Sequence, residues 1–268
     1  MFQQFNISRS GFGTYQKMMF NITNNIANAQ TPGYKQTRVE LATLFPIILQ
    51  EAEMDYAEDD NMNPYIKKKR GIELGTGVRI ESISTDFSEG NLQVTNNELD
   101  WAIRGNGFFQ LRRPDGDIVY SRSGNFTRDV YGNIVTQSGY SLDPPIRLPD
   151  NTTQLTVDAE GRVFASVNND AVPREIGQLL LSRFSNPGGL KNIGNNFYKE
   201  TTASGEPIVE IPGRNATGQV VQFSIENSNV DIIKEMMEMI MTQKGLELLG
   251  KAMQAGEQML KAGMGMTS

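Results

Sequence analysis

The chain contains neither histidine nor cysteine. Thiol nucleophiles, disulfides, zinc sites built on imidazole or thiolate, and the side chain best matched to proton transfer near neutrality are therefore absent. Acid–base work would fall to carboxylates. The closely spaced pairs are Asp115 with Asp117 and Asp158 with Glu160, and each flanks a turn glycine, where solvated carboxylates are the ordinary occupants. Gly11-Phe12-Gly13 and Gly105-Asn106-Gly107 superficially resemble phosphate loops. Neither has the third glycine or the Lys-Ser/Thr ending that would hold a nucleotide. The reading is that the chain is not an enzyme and has no catalytic residue, metal site or cofactor, so function must lie in binding or in structure.

The wider composition narrows this further. A net charge of -6 argues against nucleic acid as a partner, because phosphate-binding surfaces carry excess Lys and Arg. The exception is Lys67-Lys68-Lys69-Arg70, which follows Glu51, Glu53, Asp55, Glu58, Asp59 and Asp60 and reads as a locally balanced, solvated linker. No apolar run approaches the ~20 residues of a membrane-spanning helix. The longest candidate, Leu44 to Leu49, is broken by Pro46, so membrane insertion is not expected. The first residues show no basic leader, apolar segment or cleavage site, and a conventional cleaved signal is not expected; another export route would have to carry an exported protein.

The elements that would position a functional surface are legible from periodicity. Phe5, Phe12, Tyr15, Met19, Ile22 and Ile26 follow the three-and-four spacing of a helix seam, and Ala29-Gln30-Thr31-Pro32-Gly33 stops it, giving a helix over about 5–29. Ile232, Met239, Leu246, Met253 and Leu260 recur every seven residues in a second helix over about 230–262, with Ser228 and Asp231 as a capping box at its start. Gly245, Gly250 and Gly256 weaken that helix internally and would allow close approach of another helix. Between them lie short alternating strands with turn signals, including Pro114-Asp115-Gly116, and Asp129-x-x-Gly132-x-Ile134 echoes Asp158-x-x-Gly161-x-Val163. The expected fold class is α+β, with both helices at the chain ends forming a coiled-coil-like inner domain and an antiparallel β-rich outer domain between them. The expected boundaries are a first helix segment 1–33, an extended linker 34–76, a β-rich domain 77–222 and a second helix segment 223–268.

Two helices of unequal length cannot cover each other, so the longer would leave apolar stripe in water. Burying the five heptad residues against neighbours at roughly 2 kcal/mol each gives on the order of 10 kcal/mol gross before association entropy. Assembly is the natural solution. An intramolecular helical hairpin closing one monomer stays open as the alternative on periodicity alone.

The stretch Asn24-Asn25-Ile26-Ala27-Asn28-Ala29-Gln30-Thr31-Pro32-Gly33-Tyr34-Lys35 resembles the N-terminal signature of the bacterial flagellar rod and hook axial proteins. Further matches to that family run through Gly75-Thr76-Gly77-Val78, Gly90-Asn91-Leu92, Thr95-Asn96-Asn97, and Leu99 to Phe109. They continue through Tyr120-Ser121-Arg122-Ser123-Gly124-Asn125-Phe126, Asn186-Pro187-Gly188-Gly189-Leu190, and Ile225-Glu226-Asn227-Ser228-Asn229-Val230. The matches cover nearly the whole chain and look most like the distal rod branch. Lys244-Gly245-Leu246-Glu247 stands where the family usually has Arg-Ala-Tyr-Glu.

The resemblance implies a self-assembling subunit of a hollow helical tube in the periplasmic basal body. It would transmit torque, conduct export substrates and itself be exported by the flagellar type III route without a cleaved signal peptide. The terminal helices would form the inner wall, with the β domain outside and the linker helping to set stiffness. Assembly roles are carried onto Asn25, Asn28, Thr31, Pro32 and Gly33 at the first helix end and onto Ser228, Asn229 and Val230 at the second helix start. The periodicity adds Phe12, Tyr15, Met19, Ile22, Ile26, Ile232, Met239, Leu246, Met253 and Leu260. Local capping and turn chemistry explains each of the motif residues equally well. Implied partners are further copies of the chain, proximal rod proteins, the hook protein and the P- and L-ring bushing proteins. The competing readings are a proximal rod or hook subunit, and a β-domain binding module or adhesin oligomerised by its helices.

Overall fold

A computed structural model describes residues 2–50, 54–58, 64–68, 71–167 and 172–265, with side chains described for 5–50, 71–167, 172–259 and 261–262. The fold is α+β: a helix at each end of the chain and β-strands throughout the middle. Helix α1 spans Phe2–Ala27 and helix α2 spans Ile232–Gly265. The chain divides into two compact units. One comprises Met1–Thr23, Arg38–Ser84 and Ile233–Ser268; the other comprises Asn24–Thr37 and Thr85–Ile232.

In the first unit α1 and α2 pack as an antiparallel pair, because contacts run in opposite order along them. A side chain at Gly11 would meet Leu249 at 3.2 Å, and one at Gly245 would meet the Tyr15 ring at 2.9 Å. Gly11, Thr14 and Ile22 are buried on α1, and Glu235 and Thr242 are buried on α2. Of the three glycines expected to permit close approach, Gly245 does so against Tyr15, whereas Gly250 faces open space.

The segment read as an extended linker carries strands which, with the strand that follows it, form three nested two-stranded pairs, the strand arm. Thr37–Thr43 pairs with Val78–Thr85, Ile47–Gln50 pairs antiparallel with Ile72–Leu74, and Met54–Glu58 pairs antiparallel with Pro64–Lys68. The outermost register sets Asp55 across from Lys67, so part of the acidic stretch and part of the basic run lie opposite each other. Lys69, Arg70, Glu51, Glu53, Asp59 and Asp60 lie outside the described residues. The Thr76 hydroxyl donates to the Phe45 carbonyl at 2.7 Å and the Leu44 N–H to the Gly77 carbonyl at 3.0 Å, which carries the pairing across the break at Pro46.

The second unit is built on a nine-stranded sheet. Its main path runs Phe126–Arg128, Ile134–Thr136, Ser141–Leu142, Phe108–Arg112, Ile118–Ser121, Phe197–Lys199 and Lys191–Gly194, with Leu181–Arg183 attached at Phe108–Arg112 and Ile208–Glu210 paired to Leu181–Arg183. A three-stranded sheet, Thr152–Val157, Arg162–Val167 and Arg174–Gln178, encloses the same apolar core. Trp101, Phe109, Leu111, Val163 and Leu181 are fully buried there. Trp101 leans on Phe126 at 5.2 Å and donates its indole N–H to the Glu98 carbonyl.

One hairpin device recurs in this unit. At Arg113, Asp129, Thr136 and Asp158 the residue three positions on is a glycine with positive φ, and its N–H donates to the first residue's carbonyl at 2.8–2.9 Å. In each case the first residue's own N–H donates to the carbonyl of the residue four on, closing a type I turn with a glycine bulge. Three of these glycines stand in the turn signals seen in the sequence. Gly139 was not singled out, because Thr136-Gln137-Ser138 lacks the Asp that marks two of the others.

Candidate functional site

Apart from Gly75-Thr76-Gly77-Val78, which belongs to the first unit, the stretches that carry the family resemblance lie in the second. Here the last turn of α1 leaves its helix, and the residues that lead into α2 are anchored. The Asn25 side chain, 1% exposed, treats Thr37 as a strand partner. Its Nδ2 donates to the Thr37 carbonyl at 2.9 Å, and its Oδ1 accepts the Thr37 N–H at 3.1 Å and the Tyr34 hydroxyl at 3.0 Å. Asn28 closes the helix end: its Nδ2 donates to the carbonyl and Oδ1 of Asn24, and its Oδ1 accepts from Thr31 Oγ1.

Pro32 and Gly33 then turn the chain. Gly33 has φ +70, and a side chain there would meet the Ser123 backbone at 2.7 Å, so glycine is required by conformation and by space together. The Gly33 N–H donates to the Glu226 carbonyl at 2.8 Å. The Pro32 carbonyl accepts from Asn196 Nδ2 at 3.1 Å. Asn195 and Asn196, both at positive φ, form the tip of the hairpin joining Lys191–Gly194 to Phe197–Lys199.

Beyond the turn lies a buried charge cluster. Lys35 Nζ lies 2.6 Å from Glu226 Oε1 and donates also to the Ser88 carbonyl; both charged side chains have no exposed surface. The other carboxylate oxygen of Glu226 is 3.6 Å from Arg122 Nη1. Arg122 is itself buried, donates through Nη2 to the Gly105 carbonyl at 2.7 Å and sits 5.6 Å over the Phe108 ring. Glu226 Oε1 accepts the Gly90 N–H as well. Burial pulls the Lys35 ammonium below the usual lysine range against the opposing charge of Glu226, and burial likewise lowers Arg122.

Asn229 completes the junction. Its Oδ1 accepts the Gln36 N–H at 2.8 Å and its Nδ2 donates to the Asp86 carbonyl and Ser88 Oγ, each at 2.9 Å. The Gln36 carbonyl in turn accepts the Asp86 N–H. The capping box expected from Ser228 and Asp231 does not form, because α2 begins only at Ile232. Ser228 instead accepts the Val230 N–H and holds the approach to the helix extended, while Asn229 is turned toward the strands. Chemically the arrangement is a joint. Most of its polar groups bond to one another, Arg122 Nε and Glu226 Oε2 being buried without a hydrogen-bond partner, and the described residues contain no cluster of metal-ligating side chains.

Two family models match the chain, the flagellar hook protein FlgE/F/G D1 domain over residues 102–165 and the flagellar basal body rod FlgEFG protein C-terminal model over 221–266. The chain is 39% identical over 255 residues to the flagellar basal-body rod protein FlgG of Buchnera aphidicola from Schizaphis graminum, covering 95% of this chain and 96% of that protein. It is 36% identical to the Agrobacterium fabrum protein of the same name, over 94% and 95% of the two chains, and 31% identical to that of Bacillus subtilis, over 94% of each. The chain belongs to the flagellar basal-body rod protein family.

The first of these models lies wholly in the second unit of this rod-family chain, and the second begins within the strand Gln219–Gln222, takes in the strand that carries Glu226 and continues along α2. The residues singled out from the sequence fall into groups. Asn25, Asn28, Thr31, Pro32, Gly33, Ser228, Asn229 and Val230 gather at the junction, with Asn25, Gly33 and Ser228 buried there. Ile26 is half-buried in the last turn of α1. In the first unit Ile22 is buried, and Tyr15, Met19, Met239, Leu246 and Met253 are half-buried. Phe12 is 46% exposed, as is Ile232 at 41%. The Leu260 side chain lies outside the described residues. Lys35, Arg122 and Glu226 carry the buried charge cluster and were given no role from sequence, although all three stand inside the matching stretches. Nothing local marks a lysine whose partner is 191 residues away.

Proposed function

We propose that the chain is a structural subunit of the distal part of the flagellar basal-body rod, self-assembling into a hollow helical tube that transmits torque and conducts export substrates. It is not an enzyme. The observation that carries the reading is the full-length likeness to basal-body rod proteins, joined to the apolar surface that the first unit leaves in water. On α2 that surface includes Ile233, Met236, Met237, Ile240 and Met241, and on α1 Phe12 and Phe20. Exposed apolar surface on this scale marks a protein contact. Heterologous contacts whose rotation does not close generate a filament rather than a ring.

In this reading the two terminal helices make a coiled-coil-like inner domain lining the tube and the second unit makes the outer layer. The interface draws on Phe12, Ile232 and the exposed face beside Met239, Leu246 and Met253, and the junction residues from Asn25 to Gly33 and from Ser228 to Val230 contribute to assembly from the second unit. The strand arm is the second assembly surface. Ile48, Leu49 and Ile72 are exposed, and a two-stranded ribbon is marginal alone in water, so its stiffness depends on neighbouring copies. The partners are further copies of the chain, proximal rod and hook proteins, and the P- and L-ring bushing proteins. The location is the rod in the periplasm, reached by type III export without a cleaved signal. No helix of the described residues is long and apolar enough to cross a membrane.

The decisive test is electron microscopy of basal bodies from cells lacking this protein. An axle that stops partway through the periplasm, with no distal rod or hook, is the expected result. Complete, rotating flagella would overturn the reading.

A further inference from the structure

We infer that Lys35, Glu226 and Arg122 form a latch that makes the order of the first helix's exit segment, residues 24–37, conditional on docking of the chain's C-terminal strand. The inference rests on the geometry of the second unit and not on which axial segment the chain builds.

The exit segment has little of its own to hold it. Between Thr31 and Thr37 its anchoring bonds include those to Glu226 and Asn229 on the C-terminal side, to Asp86 and Ser88, to the Asn196 side chain at Pro32, and back to Asn25 and Asn28. A lysine ammonium with no exposed surface is stable only beside a carboxylate, and that carboxylate is 191 residues away along the chain. Until Glu226 arrives, Lys35 must remain in water, and Gly33, Tyr34 and Gln36 remain there with it. The coupling is reciprocal by thermodynamic necessity. Anything that draws the strand Ser224–Glu226 away from its neighbours releases the exit segment, and anything that holds the exit segment apart leaves Glu226 without its ammonium partner, paired with Arg122 alone.

The charges in direct contact are asymmetric, two cations on one carboxylate, with Asp86 acting on Lys35 and Glu89 on Arg122 from further off. Removing Lys35 leaves the Glu226–Arg122 pair. Removing the charge of Glu226 leaves two buried cations against each other. The latch therefore predicts an order of effects that simple loss of packing does not. Glu226→Gln should release residues 24–37 strongly, Lys35→Met only mildly, and the double variant should be less damaged than Glu226→Gln alone, because removing one cation relieves the repulsion.

The test is hydrogen exchange read by mass spectrometry on the purified full-length chain in dilute, unassembled form. Glu226→Gln is expected to lower protection of peptides from 24–37 by about a hundredfold or more, while peptides covering Phe108–Arg112 and Ile118–Ser121 keep theirs. Adding Lys35→Met should restore at least tenfold of the loss. If Glu226→Gln melts the whole unit, Asn229→Ala, which frees Gln36 without leaving a buried charge, supplies the readout, and selective release of 34–37 is expected. The latch is overturned if 24–37 stays protected in both variants, or if the double variant is as damaged as Glu226→Gln alone. Loss of the latch with normal basal-body rods in cells would count against its importance for assembly without touching the rod assignment, whereas a normal rod in cells lacking the protein altogether would remove that assignment and leave the latch.

Discussion

Gly33→Ala isolates what the turn at the first helix exit costs to build. The new methyl meets two obstacles: a backbone at φ +70, and the Ser123 backbone nitrogen and Cα at 2.7 and 2.8 Å. The left-handed conformation costs a non-glycine residue about 1–2 kcal/mol. Forcing a methyl into a filled space adds about 1–3 kcal/mol, because the atoms it meets are main chain and cannot swing aside. Gly205→Ala supplies the control, since Gly205 has φ +77 and nothing within 4 Å of its would-be Cβ, so it carries the first cost alone. The assay is urea unfolding followed by fluorescence of Trp101, the single tryptophan and a fully buried reporter in the same unit. With an m-value of about 2 kcal/mol/M, the excess cost lowers the Gly33→Ala midpoint by about 0.5–1.5 M relative to Gly205→Ala. Coincident midpoints at equal m would refute the reasoning, by showing that Ser123 yields freely and that the close approach restricts nothing.

Other expectations follow from the first unit. Gly245→Ala drives a methyl into the Tyr15 ring at 2.9 Å and should cost about 1–3 kcal/mol in thermal melts followed by circular dichroism; Tyr15→Leu in the same chain should recover most of it, and an innocuous single variant would mean that the helices do not meet there. Ile240→Asp, at a position 57% exposed, should leave the melting of the isolated subunit unchanged while abolishing polymerisation, because the carboxylate would have to lose its water in the interface. Polymers of normal length from this variant would rule that face out as a contact. Glu247 accepts hydrogen bonds from Lys251 and Lys244, which hold its carboxyl at about 2 instead of the usual 4.5. Its support of α2 is therefore complete above pH 4.5 and fades as acid approaches pH 2. Glu247→Gln should remove that part of the acid transition in helix content, and an unchanged acid profile would dismiss the Lys–Glu–Lys cluster as a contributor.

The helices and the hairpin turns were legible because their causes are local. An apolar residue every three or four positions, or a glycine three after an aspartate, signals its own structure. The strands within residues 37–74 were not legible, for a physical reason. Strands reveal themselves by alternation between a buried and a solvated face, and Ile47–Gln50 and Ile72–Leu74 bury neither. The junction hid differently. Capping and turn chemistry accounts for Asn28, Thr31 and Gly33 one at a time, and only the fold brings Lys35 to Glu226 and Gln36 to Asn229.

The same contrast bears on assembly. Apolar periodicity on α1 picked out Tyr15, which meets α2 at Gly245, and Phe12, which the fold leaves exposed, but passed over Gly11, which meets Leu249 of α2. A pattern search sees only large apolar side chains and so misses a glycine at a close approach. The large side chains it does find divide between those the fold half-covers, such as Tyr15 and Leu246, and those it leaves in water, such as Phe12 and Ile232. A chain under no pressure to assemble would have little reason to keep that second group apolar, since polar residues at exposed helix positions cost nothing in packing. The surplus of apolar pattern over intramolecular contact is thus itself the physical argument for neighbours. It makes the exposed members of the pattern, and not the buried ones, the residues whose substitution should separate folding from polymerisation.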